Sequence, residues 1–306
     1  METTIEKAAE RLAQLRRAGV EVPSFEASAV GGSASEKDDC ATISDPAADA
    51  RHSTRDGASP EVVIDFARLA GAGMITPDDL QSQIADEFRL IKRPLLDNVR
   101  ASSRSPEQRA NLIMITSALA GEGKTFVAVN LALSIAMEMD YRVLLVEADA
   151  RRPSVLSTLG LPASRGLIDV LVDPGVRLGD VLLRTSLPRL SVLPVGSHHA
   201  RAAELLSSQS MTVLARELSS RYSDRIIIFD TPPILSSAEA RALAMHVGQI
   251  VVVVAAGSTS NSALRHALET LESRPTVMTM LNKVTGSSQA YAREEYGGRP
   301  ARATQA

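Results

Sequence analysis

Apolar residues recur along this chain in two rhythms. Ile5, Ala8, Leu12 and Leu15 stand three and four residues apart with Gly19 beyond them, which predicts a short amphipathic helix near the N-terminus. So short a helix is not stable alone, so it is expected to dock on something. Residues 21–60 then turn to Ser, Ala, Asp and Gly with almost no large apolar side chain, the composition of a disordered linker. Order resumes at "VVIDFARLAGAGMITPDDL" (62–80). In "QIADEFRLIKRPLLDNV" (83–99), Ile84, Phe88, Ile91 and Leu95 share one helical face, while Asp86, Arg89 and Lys92 follow at three-residue steps on another. Pro94 predicts a kink or an end to that helix. Taken alone, the charged row reads as a solvated face.

From residue 111 the rhythm changes. The short runs "LIMITS", "RVLLVEA", "LSVLPV", "RIIIFD", "QIVVVVAA" and "TVMTMLN" predict strands, and "KTFVAVNLALSIAMEM", "MTVLARELSSRY" and "SALRHALETLES" between them suit helices. Continuous apolar strands separated by helices imply a mostly parallel sheet covered on both faces, an α/β doubly wound fold. "GSSQAYAREEYGGRPARATQA", after residue 285, has no core-forming pattern and is expected to be a flexible tail. The organisation expected is an N-terminal helix (1–20), a linker (21–60), a helical segment (61–105), the α/β domain (106–284) and the tail (285–306).

Composition narrows the classes. The 306 residues are 44% apolar and 23% charged, ordinary for a soluble globular protein, and a net charge of -3 gives no basic field to attract nucleic acid. The longest apolar runs are too short to cross a bilayer. The charged N-terminus has no signal-peptide core, and the lone Cys40 fits a reducing cytoplasm. A membrane role would therefore come through a partner.

The chemistry centres on "SALAGEGKTF" (117–126). A strand, a glycine-rich turn and Gly-Lys-Thr opening a helix form the context of a phosphate-binding P-loop, although Ala118 stands where such a loop usually begins with glycine. Gly121, Glu122 and Gly123 would curl backbone amides around phosphate oxygens. Lys124 would reach the β- and γ-phosphates, Thr125 would offer its hydroxyl to Mg²⁺, and Phe126 continues the loop into the helix. Two further strands end in acid: "VLLVEADARRP" (143–153) in Glu147 and Asp149, and "IIIFDTPP" (226–233) in Asp230. An open parallel sheet binds ligands beyond the carboxyl ends of its strands, so one crevice would collect all of these groups. Carboxylates there can hold Mg²⁺ or take a proton from an attacking hydroxyl. Without a cation their burial would be costly, which argues for a metal-bound phosphate ligand and so for a nucleotide site.

These three motifs together resemble the Walker motifs of the bacterial tyrosine kinases, P-loop enzymes of the deviant-Walker type that act in exopolysaccharide synthesis. "RGLIDVL" (165–171), "LSVLPVG" (190–196) and "ELLSS" (204–208) extend the likeness from about residue 62 to about 285. The segment "DEFRLIKRPLL" (86–96) and the N-terminal helix look like the autokinase encoded with exosortase and extracellular polysaccharide genes. The resemblance implies an ATP- and Mg²⁺-dependent protein-tyrosine autokinase, with Lys124 and Thr125 on the phosphates and metal and Asp149 and Asp230 organising Mg²⁺ and its waters. Glu147 stands where the family usually has the aspartate thought to activate the tyrosine hydroxyl. Asn282 would contact adenine by analogy, or serve only the strand end. Tyr291 and Tyr296 in the tail would be the phosphoacceptors. Asp86, Arg89 and Lys92 match, in milder form, a Glu-x-x-Arg-x-x-Arg row at a subunit interface, implying a homo-oligomer, possible as a ring. The implied activator is a separate membrane-anchored polysaccharide chain-length determinant, which would recruit the kinase to the membrane's inner face.

Two other readings stand beside it. Partitioning ATPases of the same type carry a lysine two residues before the loop glycine at 121, where this chain has Leu119. A nucleotide-binding scaffold without catalysis would need no modified tail. His198 and His199 read as a surface loop rather than a metal site, and Arg151 and Arg152 would touch phosphate or a neighbour.

Overall fold

A computed structural model describes residues 61–102, 109–221, 224–274 and 276–284. The expected N-terminal helix, the linker, Cys40, Tyr291 and Tyr296 lie outside the described residues. Strands β1 (Glu61–Val62), β2 (Leu112–Ser117), β3 (Arg142–Glu147), β4 (Leu183–Thr185), β5 (Leu190–Leu193), β6 (Arg225–Asp230), β7 (Gln249–Ala255) and β8 (Val277–Asn282) form one sheet in the order β1-β4-β5-β3-β6-β2-β7-β8. Every neighbouring pair is parallel except β4 with β5.

Helices cover both faces, and the strands alternate to match. Leu112, Met114, Leu144, Val146, Ile227 and Phe229 point into one core. That core packs under α5 (Leu167–Val172), α6 (Leu178–Val181), α7 (Ala202–Leu206), α8 (Gln209–Arg221), α9 (Ala238–Leu243) and α10 (Asn261–Thr270). Their strand neighbours Ile113, Ile115, Val143, Leu145, Ile226 and Ile228 point to the opposite core. On that side lie α1 (Phe66–Gly71), α2 (Gln83–Ser102), α3 (Lys124–Ala136) and α4 (Val155–Leu159). Strands buried on both faces have to be apolar throughout, which is why these runs do not alternate with polar residues.

Helix α3 is buried nearly all round because α2 lies over the side that the sheet does not cover. Phe88 and Leu95 of α2 are fully buried there, while Ile84 and Ile91 pack at the margin. Pro94 does not end α2, which continues to Ser102. The carbonyl that Pro94 leaves without a donor belongs to the exposed Leu90, where water can satisfy it.

Two expectations need correction. Residues 61–102 are not a separate helical segment: β1 extends the sheet, and Ile64, Leu69, Ile75, Phe88 and Leu95 share a core with α3. The Ile75 N–H donates to the buried Asn130 Oδ1 at 2.8 Å, tying the segment to the helix that follows the phosphate loop. Nor does Lys92 extend an exposed charged row. It is only 5% exposed, its Nζ donates to the Ser134 carbonyl at 2.7 Å, and it pairs with Glu138 at 2.9 Å. Asp86 and Arg89 do lie on the exposed face and pair with each other. The reason is helical angle, since three residues after Arg89 the side chain has turned towards α3 whereas Arg93 stays outside.

Candidate active site

The site forms where β3, β6 and β2 lie side by side. β6 runs between the other two, and Asp230 at its end stands in register with Glu147 on one side and Ile115 on the other. The loop leaving β2 therefore starts beside both acidic strand ends.

That loop is built for tight curvature. Gly121 and Gly123 adopt φ values of +83° and +98°, a region side chains rarely enter. A Cβ at Gly123 would also lie 2.1 Å from Asn282 Nδ2. Ala118, at the unusual position, is fully buried beneath the loop. Bonds from several elements hold the cradle. Glu122 is buried, accepts from the Leu119 N–H at 2.7 Å and bonds the Thr259 hydroxyl. Asn282 Nδ2 donates to the Glu122 carbonyl at 2.9 Å, and Lys283 Nζ to the Gly121 carbonyl at 2.6 Å. Ser117 Oγ donates to the Leu119 carbonyl at 2.6 Å. A loop fixed in this way keeps its amides arranged for an anion before one arrives.

Lys124 opens α3 and is buried, and that burial lowers its pKa against the opposing pull of Asp230, Asp149 and Glu122. Thr125 Oγ1 donates to Asp230 Oδ2 at 2.7 Å and lies 2.9 Å from Ser154 Oγ. Asp230 is 1% exposed, and its Oδ1 has no hydrogen-bond partner among the described residues. Burial pushes its pKa up to about 7, with Thr125 and Lys124 opposing the shift. A buried oxygen left without a partner is costly, and a bound cation would satisfy it.

Asp149, half-buried, accepts from the Arg151 and Arg152 amides through Oδ1 at 3.2 and 3.0 Å. Its charge acts on both Lys124 and Asp230. Arg151 Nε reaches the buried Glu239 at 3.2 Å, while Arg152 is exposed. His198 is exposed and His199 Nδ1 accepts from the Arg201 N–H at 3.1 Å.

Glu147, expected as the base, is held by the backbone. Its Oε1 accepts from the Val155 N–H at 2.7 Å and its Oε2 from the Val195 N–H at 3.3 Å. The side chain is 1% exposed, and burial raises its pKa. With both oxygens on backbone amides, the carboxylate joins the start of α4 to the chain leaving β5. Phe126 packs at the margin of the core around α3 rather than opening into the loop. Ser154, Thr259 and Lys283 belong to the site and carry no motif signal of their own.

The AAA domain family matches residues 110–283. The chain is 32% identical over 227 residues to tyrosine-protein kinase YwqD of Bacillus subtilis (strain 168), covering 73% of this chain and 88% of that one. Similarity to tyrosine-protein kinase ptk of Acinetobacter johnsonii is 32% over 185 residues, or 60% of this chain and 25% of the relative. Among solved structures, the kinase domain of Escherichia coli tyrosine kinase ETK superposes with a TM-score of 0.54 at 28% identity, covering 60% of this chain and 71% of that one. Relatives on this scale, over a P-loop sheet whose three acidic and basic motifs converge, leave one conclusion. The chain belongs to the bacterial tyrosine-protein kinase family.

Proposed function

We propose that the protein is a protein-tyrosine autokinase that uses Mg-ATP to phosphorylate its own C-terminal tail, in trans within an oligomer, and so regulates exopolysaccharide polymerisation or export. The observation that carries this reading is the meeting of Lys124, Thr125, Asp149 and the unpartnered Asp230 Oδ1 at one phosphate loop, in a chain of this family.

The loop amides and Lys124 bind the β- and γ-phosphates. Thr125, Asp230 and Asp149 would hold Mg²⁺, since a hydroxyl beside an unsatisfied buried carboxylate oxygen suits a hard cation that keeps phosphate ligands as well. Bound there, the metal would neutralise charge developing on the transferred phosphoryl group. The tyrosine oxygen attacks the γ-phosphorus, the bond to the β–γ bridging oxygen breaks, and ADP leaves with that electron pair. The phenolic proton passes to a carboxylate of this cluster; Glu147, the base expected from the sequence, already accepts backbone amides through both oxygens. The acceptors are Tyr291 and Tyr296, a reading that rests on the sequence. Assembly would use the exposed side of α2, where Asp86 and Arg89 flank Leu90 and Arg93. The activator, by family resemblance, is a separate membrane-anchored chain-length determinant that brings the kinase to the membrane. Among the described residues no helix is long and apolar enough to cross one.

The test is intact mass and phosphotyrosine mapping after incubation with Mg-ATP, beside Lys124→Met and the double variant Tyr291→Phe/Tyr296→Phe. Phosphate on Tyr291 or Tyr296 is expected, and none in the Lys124 variant. ATP turnover without phosphotyrosine would favour the partitioning-type ATPase. Nucleotide binding without turnover would favour the regulatory scaffold.

A further inference from the structure

Thr125 Oγ1 has two neighbours, and its hydrogen-bonding capacity assigns their roles. Its single proton goes to Asp230 Oδ2. With Asp230 ionised, as metal binding requires, the 2.9 Å contact with Ser154 Oγ runs the other way, with Ser154 donating and Thr125 accepting. A hydroxyl oxygen has two acceptor positions, so one is taken by Ser154 and one is left for a cation. The serine proton thereby fixes the direction in which the free lone pair points.

The position of Ser154 makes this arrangement unusual. It directly precedes α4, where a serine ordinarily turns its hydroxyl onto the amides of its own helix. Here its side chain makes no such capping bond. The buried Glu147 caps α4 instead, accepting from the Val155 N–H, with the Ser154 N–H also acting on its carboxylate. Its second oxygen anchors Val195, just past the neighbouring strand β5. One carboxylate thus relieves Ser154 of capping and holds its backbone in place.

We propose that Ser154 is a positioning residue of the phosphate site, aiming the Thr125 hydroxyl at the bound metal, and that Glu147 acts through Ser154 by capping α4 in its place. The proposal rests on the reading that Thr125 takes the metal. It places the glutamate outside the proton transfer and gives a hydroxyl with no motif signal a part in cation binding.

The experiment titrates Mg²⁺ into the full-length protein with a fluorescent ATP analogue, and repeats the nucleotide titration in excess EDTA. Ser154→Ala is expected to raise the Mg²⁺ midpoint on the order of tenfold, the usual effect of removing a partner of a metal ligand. Its affinity in EDTA should stay at the wild-type value, and Ser154→Thr should restore the midpoint. Glu147→Asp, too short to reach Val155, should raise the midpoint in the same direction. An unchanged midpoint in Ser154→Ala overturns the proposal. So does an equal loss of affinity with and without Mg²⁺, which would mark a merely structural role. A wild-type midpoint in Glu147→Asp, with phosphotransfer alone reduced, would return Glu147 to the role of base and overturn its part here. Wild-type protein that binds the analogue equally with and without Mg²⁺ would sink the assignment of the metal to Thr125 itself, a result distinct from the others.

Discussion

Asp230 shows how one residue makes the site work at a cost to the ligand-free fold. Burial raises its pKa from 3.8 to about 7, so the folded protein keeps a proton that the unfolded chain has already lost. Its contribution to stability is therefore full below about pH 4 and is lost as pH rises through about 7. The shift corresponds to at most about 4 kcal/mol, and burial of Glu147 acts in the same direction. Ligand-free protein should melt several degrees lower at pH 8 than at pH 5.5. Asp230→Asn should recover most of that difference at pH 8 while losing phosphotransfer. Equal melting temperatures for the variant and wild type at pH 8 would refute this account of the site. Magnesium binding needs the ionised carboxylate, so below pH 7 it should release a proton, which calorimetry in buffers of different ionisation enthalpy can count.

At the scale of the element, α2 has one face in the core and one in solvent, and the proposed assembly assigns the second to contact between copies. Its inner face brings Phe88, Leu95 and the ammonium of Lys92 against α3, where Lys92 satisfies the Ser134 carbonyl and Glu138 together. Its outer face sets Leu90, 68% exposed, among Asp86, Arg89 and Arg93. In the proposed oligomer this apolar side chain beside the Asp86–Arg89 pair would lie in the contact between copies. Lys92→Ala should lower stability to urea by about 2 kcal/mol, as loss of a buried charged hydrogen bond does, and leave the oligomeric state unchanged. Leu90→Asp should do the reverse, reducing oligomer mass in light scattering with little effect on the urea midpoint. If Lys92→Ala dissociates the oligomer without destabilising the subunit, the division of α2 into two faces is wrong.

Across the whole molecule, the chain before the phosphate loop is part of the kinase fold. The Ile64 N–H donates to Ser186 Oγ at 3.1 Å, and the Asp65 N–H to the Leu159 carbonyl at 3.2 Å, at the end of α4. Ile64, Leu69 and Ile75 are buried, each contributing about 2 kcal/mol by burial. Removing residues 1–80 should therefore cost most of the stability of a domain held by only about 5–15 kcal/mol. Removing residues 1–60 leaves these contacts in place, so it should change the melting temperature far less. Similar melting temperatures for the two truncations would show that the segment is an appendage after all.

Local rules were enough for a large part of this protein. The runs from "LIMITS" to "TVMTMLN" form strands because a sheet covered on both faces needs apolar residues at every position, and "GEGKT" curls because glycine alone adopts its φ values freely. Once the strands are parallel, Lys124, Asp149 and Asp230 have to meet at their carboxyl ends. Other features depend on neighbours far away in the chain. β1 and β4, with two and three residues, have no periodicity to read and exist through pairing. Lys92 looks like its charged neighbours until the end of α3 and the residues just past it offer a carbonyl and a carboxylate 42 and 46 residues further on. Glu147 carries the motif position of a base, and the amides at positions 155 and 195 that hold its carboxylate are brought to it only by the fold. A motif can state which chemical groups reach a site, because that follows from local geometry. What each group does there depends on which partners have already taken its hydrogen bonds, and those are assembled by tertiary contact.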